Sequence, residues 1–201
     1  MKHKWIGTIS AMLLALVIVQ NASASWYAGN RRTNTYGGKA NIWTPSQAPF
    51  ISSGGESNWV SLPNSPYWLQ TGWHYYKGWT AAKPYVEYNL PNGTYNLIDY
   101  GTQAWGGVVE YKVEFIGGTT WCAYIAGSNK NCSQVVSAPR DIQAYSEVHT
   151  SNSNAISTRF SAAYYKTSAG AWQLFDQANW REDAPYHVQK DQYYYYLNYG
   201  P

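Results

Sequence analysis

Past residue 24, apolar and polar residues alternate along most of the chain, and no run holds a helical period for any length. VVEYKVEF, residues 108–115, is the clearest case. Val109, Tyr111, Val113 and Phe115 fall on one face, and Glu110, Lys112 and Glu114 on the other. That spacing predicts a strand with one face in the core and one in water. Similar segments are separated by turn-rich pieces: LPNGT, IDYGTQAWGG, AGSNKN, VSAPRD, TSNSNA and KTSAG. Many short strands at this spacing predict an all-β protein, an antiparallel β-sandwich of jelly-roll or concanavalin-like form. DQANWREDAPYHVQKD reads as a surface loop before a last strand, QYYYYLNY, and Tyr193–Tyr196 as an ordinary strand segment. Residues 25–56 look irregular and are expected to form an N-terminal arm, a candidate short pro-piece, ahead of a sandwich domain at 57–201. With no internal repeat and no linker-like tract, one domain is expected.

The first 24 residues follow a different pattern. MKHK carries positive charge, WIGTISAMLLALVIV is apolar, and Ala22-Ser23-Ala24 gives small residues before Ser25. This is the form of a secretory signal cut after Ala24. The apolar run is short for a membrane span, and no second one follows. Export permits a disulfide between Cys122 and Cys132, the only two cysteines, which flank a strand–turn–strand segment. Without Lys2 and Lys4 the chain is close to neutral and shows no basic patch, so nucleic acid is not an expected partner. Tyr (20 residues) and Trp (11) are abundant while charged residues make up 12%. That is the profile of a secreted β protein that handles polymers. The histidine spacings carry no metal motif, and no cofactor is expected. A monomer is expected.

Period two sorts the faces of three strands. Trp68, Gln70, Gly72, His74 and Tyr76 share one face of YWLQTGWHYY. Tyr85, Glu87 and Asn89 lie opposite Val86, Tyr88 and Leu90. Gln143, Tyr145, Glu147 and His149 lie opposite Ile142, Ala144, Ser146 and Val148. Each strand thus offers a polar, aromatic face with an amide or carboxylate near its middle. If the three share one sheet, Gln70, Glu87 and Glu147 converge.

The segment WLQTGW, residues 68–73, resembles the motif of the glutamic peptidases. Its Gln and Thr match the fungal eqolisin branch, with a catalytic Gln in an LQTG context. Gly72-Trp73 matches the neprosin branch, in which a Glu precedes Ala-Gly-Trp. SNWVSL at 57–62 is similar to the family's early Trp-Val strand, and YVEYNLP at 85–91 to its Tyr-Glu-Trp-Tyr-Pro segment. AYSEVHT at 144–150 falls where a second catalytic residue, a Glu, is expected. There Ser146-Glu147-Val148 stands where the eqolisin pattern has Ala-Glu-Trp. The resemblance covers about residues 57–176 and implies a β-sandwich with a long groove and acid-favouring endopeptidase activity on a polypeptide substrate.

Such chemistry suits these residue types. A Glu can take a proton from water and return it to the leaving amine, and a Gln N–H can donate to the oxyanion without changing charge. The resemblance therefore implies Glu147 as general base and acid and Gln70 as oxyanion donor. Glu87 would orient Gln70 or bind substrate, and Trp68, His74, Tyr145 and His149 would line the groove. A second class of reading uses the same residues without turnover, in a groove that binds a glycan or a cell-surface polymer. Glu87 with Glu147 would also serve a glycosidase. No G-x-S-x-G elbow is present, so the sequence makes no case for a serine hydrolase.

Overall fold

A computed structural model describes residues 25–175, 179–190 and 196–200. The expected signal at 1–24 and Tyr193–Tyr195 of the tyrosine run lie outside the described residues. Within them the chain forms fifteen strands and no helix. One sheet runs, in spatial order, β13 (Trp180–Glu182), β1 (Ser25–Thr35), β10 (Arg140–His149), β3 (Gly55–Asn64), β4 (Tyr67–Tyr76), β5 (Lys83–Asn89) and β6 (Tyr95–Asp99). The other runs β14 (His187–Lys190), β15 (Tyr196–Tyr199), β11 (Ser157–Lys166), β2 (Gly37–Trp43), β7 (Val108–Gly117), β8 (Thr120–Ile125) and β9 (Ser128–Gln134), with the short β12 (Trp172–Leu174) paired to β11. The strands pair antiparallel, and the two sheets enclose one core, as the alternation predicts.

The faces fall as period two requires. Val60, Leu62, Leu69, Trp73, Val86, Ile142 and Ala144 point inward from the first sheet. Ala40, Ile42, Tyr111, Val113, Trp121, Ala123 and Phe160 meet them from the second. Cys122 and Cys132 face each other in register across β8 and β9 and form the disulfide.

Residues 25–56 depart from the expected arm. They supply β1, between β13 and β10, and β2, between β11 and β7. Removing them would take a strand from inside each sheet. GGKANIW buries alternate residues on β2 but is short. β1 buries Ala28, Gly29 and Asn30 in succession, against a sheet on one side and ring faces on the other. Such a strand shows no alternation in its sequence. The expected loop before the last strand likewise contains β13 and β14.

A polar cluster crosses the core at one end. Glu56 on β3 is fully buried, and its Oε1 accepts from Asn58 Nδ2 at 2.7 Å and Thr158 Oγ1 at 2.9 Å. Ser146 Oγ donates to Asn58 Oδ1. Asn198 Nδ2 donates to Ser146 Oγ at 2.8 Å and to the Ala28 carbonyl at 2.8 Å. Glu56, Asn58, Ser146 and Ala28 belong to the first sheet, and Thr158 and Asn198 to the second, so the cluster ties one to the other. Burial raises the Glu56 carboxyl from 4.5 to about 7, outweighing the two hydrogen bonds that favour its ionised form.

This makes the contribution of Glu56 to stability acid-favoured. Below the ordinary value both folded and unfolded chains hold the proton. As pH rises toward about 7 the unfolded chain releases it first, so stability falls across that window and then levels. The loss amounts to about 3 kcal/mol at most, at about 1.4 kcal/mol per pH unit. Across the window the denaturant midpoint of wild type should fall relative to that of Glu56→Gln. Equal slopes in the two proteins would remove Glu56 from the account.

Candidate active-site groove

The outer face of the first sheet carries the candidate residues, and its register arranges them in rows. One row runs Arg31, Gln143, Ser61, Gln70, Glu87, Leu97 across β1, β10, β3, β4, β5 and β6. The next runs Gly29, Tyr145, Trp59, Gly72, Tyr85, Asp99, and the third Tyr27, Glu147, Ser57, His74, Lys83. Every member faces the same way because rows two residues apart share a face. Together these strands form an open groove of about 430 Å³, and its lining includes Gln70, Glu87, Glu147, Trp68, Tyr145 and His149.

Gln70 and Glu147 therefore open into one groove. They lie two strands and two rows apart, with Trp59 in the row between. Gln70 Nε2 donates to Glu87 Oε2 at 2.7 Å and to Tyr85 Oη at 3.1 Å, and Tyr95 Oη donates to Glu87 Oε1 at 3.1 Å. Glu147 is held separately. Tyr27 Oη donates to its Oε1 at 3.0 Å and Trp59 Nε1 to its Oε2 at 3.2 Å, and His149 Nδ1 stands 3.5 Å from Oε1.

Burial raises the Glu87 carboxyl above the ordinary value. The negative charge of Glu147 adds to this, while the bonds from Tyr95 and Gln70 work against it. Burial and the Glu147 carboxylate push the Tyr27 hydroxyl up to about 12. Burial also raises Tyr76, and Tyr85 far more, with both glutamates contributing. These phenols stay protonated, and Tyr27 donates to Glu147 while Tyr85 accepts from Gln70.

His74 departs from its expected role. It is 1% exposed, stacked on Tyr85 with ring centroids 4.5 Å apart, and packed edge-on against Tyr76 and Trp79. Its Nε2 bonds Asp99 Oδ1 at 2.8 Å. Burial lowers its pKa despite Asp99. Period two puts His74 on the groove face, but the surrounding rings roof it over, so it supports the floor and does not line the groove. Tyr27, Trp59, Ser61 and Gln143 line the groove without having been marked by sequence. Tyr27 lay in the supposed arm. Gln143 shared the face with Tyr145 but belongs to no motif. Among the described residues no group of three His, Cys, Asp or Glu side chains is placed to hold a metal ion, and no helix is long and apolar enough to cross a membrane.

No family model matches the sequence, and no curated protein matches it. Solved structures do. A scytalido-glutamic peptidase with a peptide-based transition-state analogue superposes with a TM-score of 0.68 at 13% identity, over 89% of this chain and 100% of that one. The same peptidase with a transition-state analogue inhibitor gives 0.67 at 14% identity, over the same shares. SCP-B, a member of the eqolisin family in complex with the tripeptide Ala-Ile-His, gives 0.65 at 13%, again over 89% and 100%. The chain has the fold of the glutamic peptidases.

Gly72, the glycine of LQTGW, has a physical reason. A Cβ there would stand 1.9 Å from the Asn58 carbonyl oxygen and 2.7 Å from Trp59 Cα, both backbone atoms. Gly72→Ala should separate β3 from β4 in the middle of the groove and cost ~2 kcal/mol or more. Chemical denaturation reads this directly, and an unchanged midpoint would show that the close approach is dispensable.

Proposed function

We propose that the groove takes an extended polypeptide outside the cell and hydrolyses it, with Glu147 and Gln70 as the reacting pair. The observation that carries this reading is the opening of both side chains into one aromatic-walled groove on a glutamic-peptidase fold. Glu147 takes a proton from water as the oxygen attacks the scissile carbonyl, then returns it to the departing amine. Gln70 turns the N–H that meets Tyr85 toward the developing oxyanion, while its bond to Glu87 keeps the amide oriented. Glu87 is thus a positioning residue. Tyr27 and Trp59 fix the Glu147 carboxylate without neutralising it. The signal-like leader and the disulfide agree with an oxidising, extracellular setting.

One observation favours a second reading, in which the groove binds a polypeptide or glycan without turnover. The residue that shares Gln70's row on β10, across Ser61, is the neutral Gln143 and not Glu147. Two amides in the row beside Trp59 and Tyr145 make a hydrogen-bonding and stacking surface for a polymer.

Incubating the protein lacking residues 1–24 with an unfolded protein substrate, from acid to neutral pH, separates the readings. The peptidase reading expects cleavage strongest in acid, reduced about 10²-fold or more in Glu147→Gln and about 10²-fold in Gln70→Ala. Binding of peptide or glycan by a folded wild type that cleaves at no pH supports the second reading and ends the first.

A further inference from the structure

We propose that Ser57, His149 and Glu147 form a nucleophile–base–carboxylate triad that transfers acyl groups from small esters. No local motif announces it, because Ser57 lies on β3 and the other two on β10. The register places Ser57 directly opposite Glu147, and His149 follows two residues on along the same face. Ser57 Oγ is 3.0 Å from His149 Nε2, and His149 Nδ1 is 3.5 Å from Glu147 Oε1. These contacts give each ring nitrogen the partner a triad requires: a hydroxyl on one side and a carboxylate on the other.

The surroundings fix that arrangement. The Tyr76 ring stacks on the imidazole at 13° and 5.9 Å, which sets its plane. Tyr27 and Trp59 hold the Glu147 carboxylate from the far side. Tyr76 stacks on His149 and Tyr85 on His74, the residue paired with Ser57, and burial keeps both phenols protonated. Two neutral phenols thus border the site and are available to a developing oxyanion. Ser57 is 4% exposed, while His149 and Glu147 line the groove, so the way in is narrow and suits a small acyl group.

In the reaction Ser57 Oγ bonds to the acyl carbon and its proton passes to His149 Nε2. The carbonyl electron pair moves to oxygen. As the tetrahedral species collapses, the bond to the alkoxy group breaks and that group takes the proton from His149. Water then attacks the acyl-serine, gives its proton to the same nitrogen, and the carboxylic acid leaves as Ser57 recovers its hydrogen.

The site shares Glu147 with the peptidase reading but does not rest on it, since that reading leaves Ser57 unused. The test is covalent labelling with a fluorophosphonate probe, located by peptide mass spectrometry, beside hydrolysis of a small activated ester. The expected result is an adduct on Ser57, absent in Ser57→Ala, formed about a hundredfold more slowly in His149→Asn, and matched by loss of ester turnover. A folded wild type that takes no label on Ser57 overturns the proposal. So does labelling that proceeds unchanged in His149→Asn. An adduct on Ser57 in a protein that cleaves no polypeptide upholds this site while ending the peptidase reading. Polypeptide cleavage by an unlabelled wild type does the reverse.

Discussion

The pairing register of β10, β3 and β4 is the constraint on which the rest depends. These three strands sit at the centre of the first sheet, and each carries its large apolar residues on one face and its chemistry on the other. A slip of one residue on β4 or β10 would send Gln70 or Glu147 into the core and bring Leu69 or Val148 out. Packing of Trp73, Leu62, Ile142 and their partners in the second sheet therefore fixes the groove as firmly as it fixes the core. The groove side chains need no separate scaffold, because core residues alternate with groove residues along the same strands.

That coupling explains which features could be read from the chain. Alternation in VVEYKVEF and in the three groove strands gave the fold class and the correct face for Gln70, Glu87, Tyr145, Glu147 and His149. It could not give the order of strands, since period two says which way a side chain points and nothing about its neighbours. Hence the rows were hidden: Gln143 opposite Ser61 and Gln70, and Trp59 between the two candidate reacting groups. β1 was missed because its buried stretch, Ala28 to Asn30, has no alternation. His74 was misjudged because a face assignment carries no information about the rings that close over it.

Electrostatically the groove keeps its two carboxylates apart and treats them differently. Glu87 sits in a desolvated corner where a phenol and an amide meet it, and its proton is held more tightly than usual. Glu147 faces a phenol, an indole and an imidazole. Two acids with distinct environments on one surface are the raw material for dividing acid and base roles. The Tyr85 phenol lies in the row between them, and the Tyr27 phenol donates to Glu147 from its other side; neither titrates near neutrality.

The position of β1 has a consequence for how the molecule comes together. Ser25 pairs with His149, and Ala28 to Asn30 pair with Trp180 to Glu182. The earliest strand therefore waits for partners from far along the chain, and β2 likewise waits for β7 and β11. Contacts of such long sequence separation make folding slow. Until β10 has been synthesised, β3 has one edge open to other chains, although β4, β5 and β6 can already pair beyond it. The groove, which needs β10 beside β3, cannot be complete before that late strand arrives.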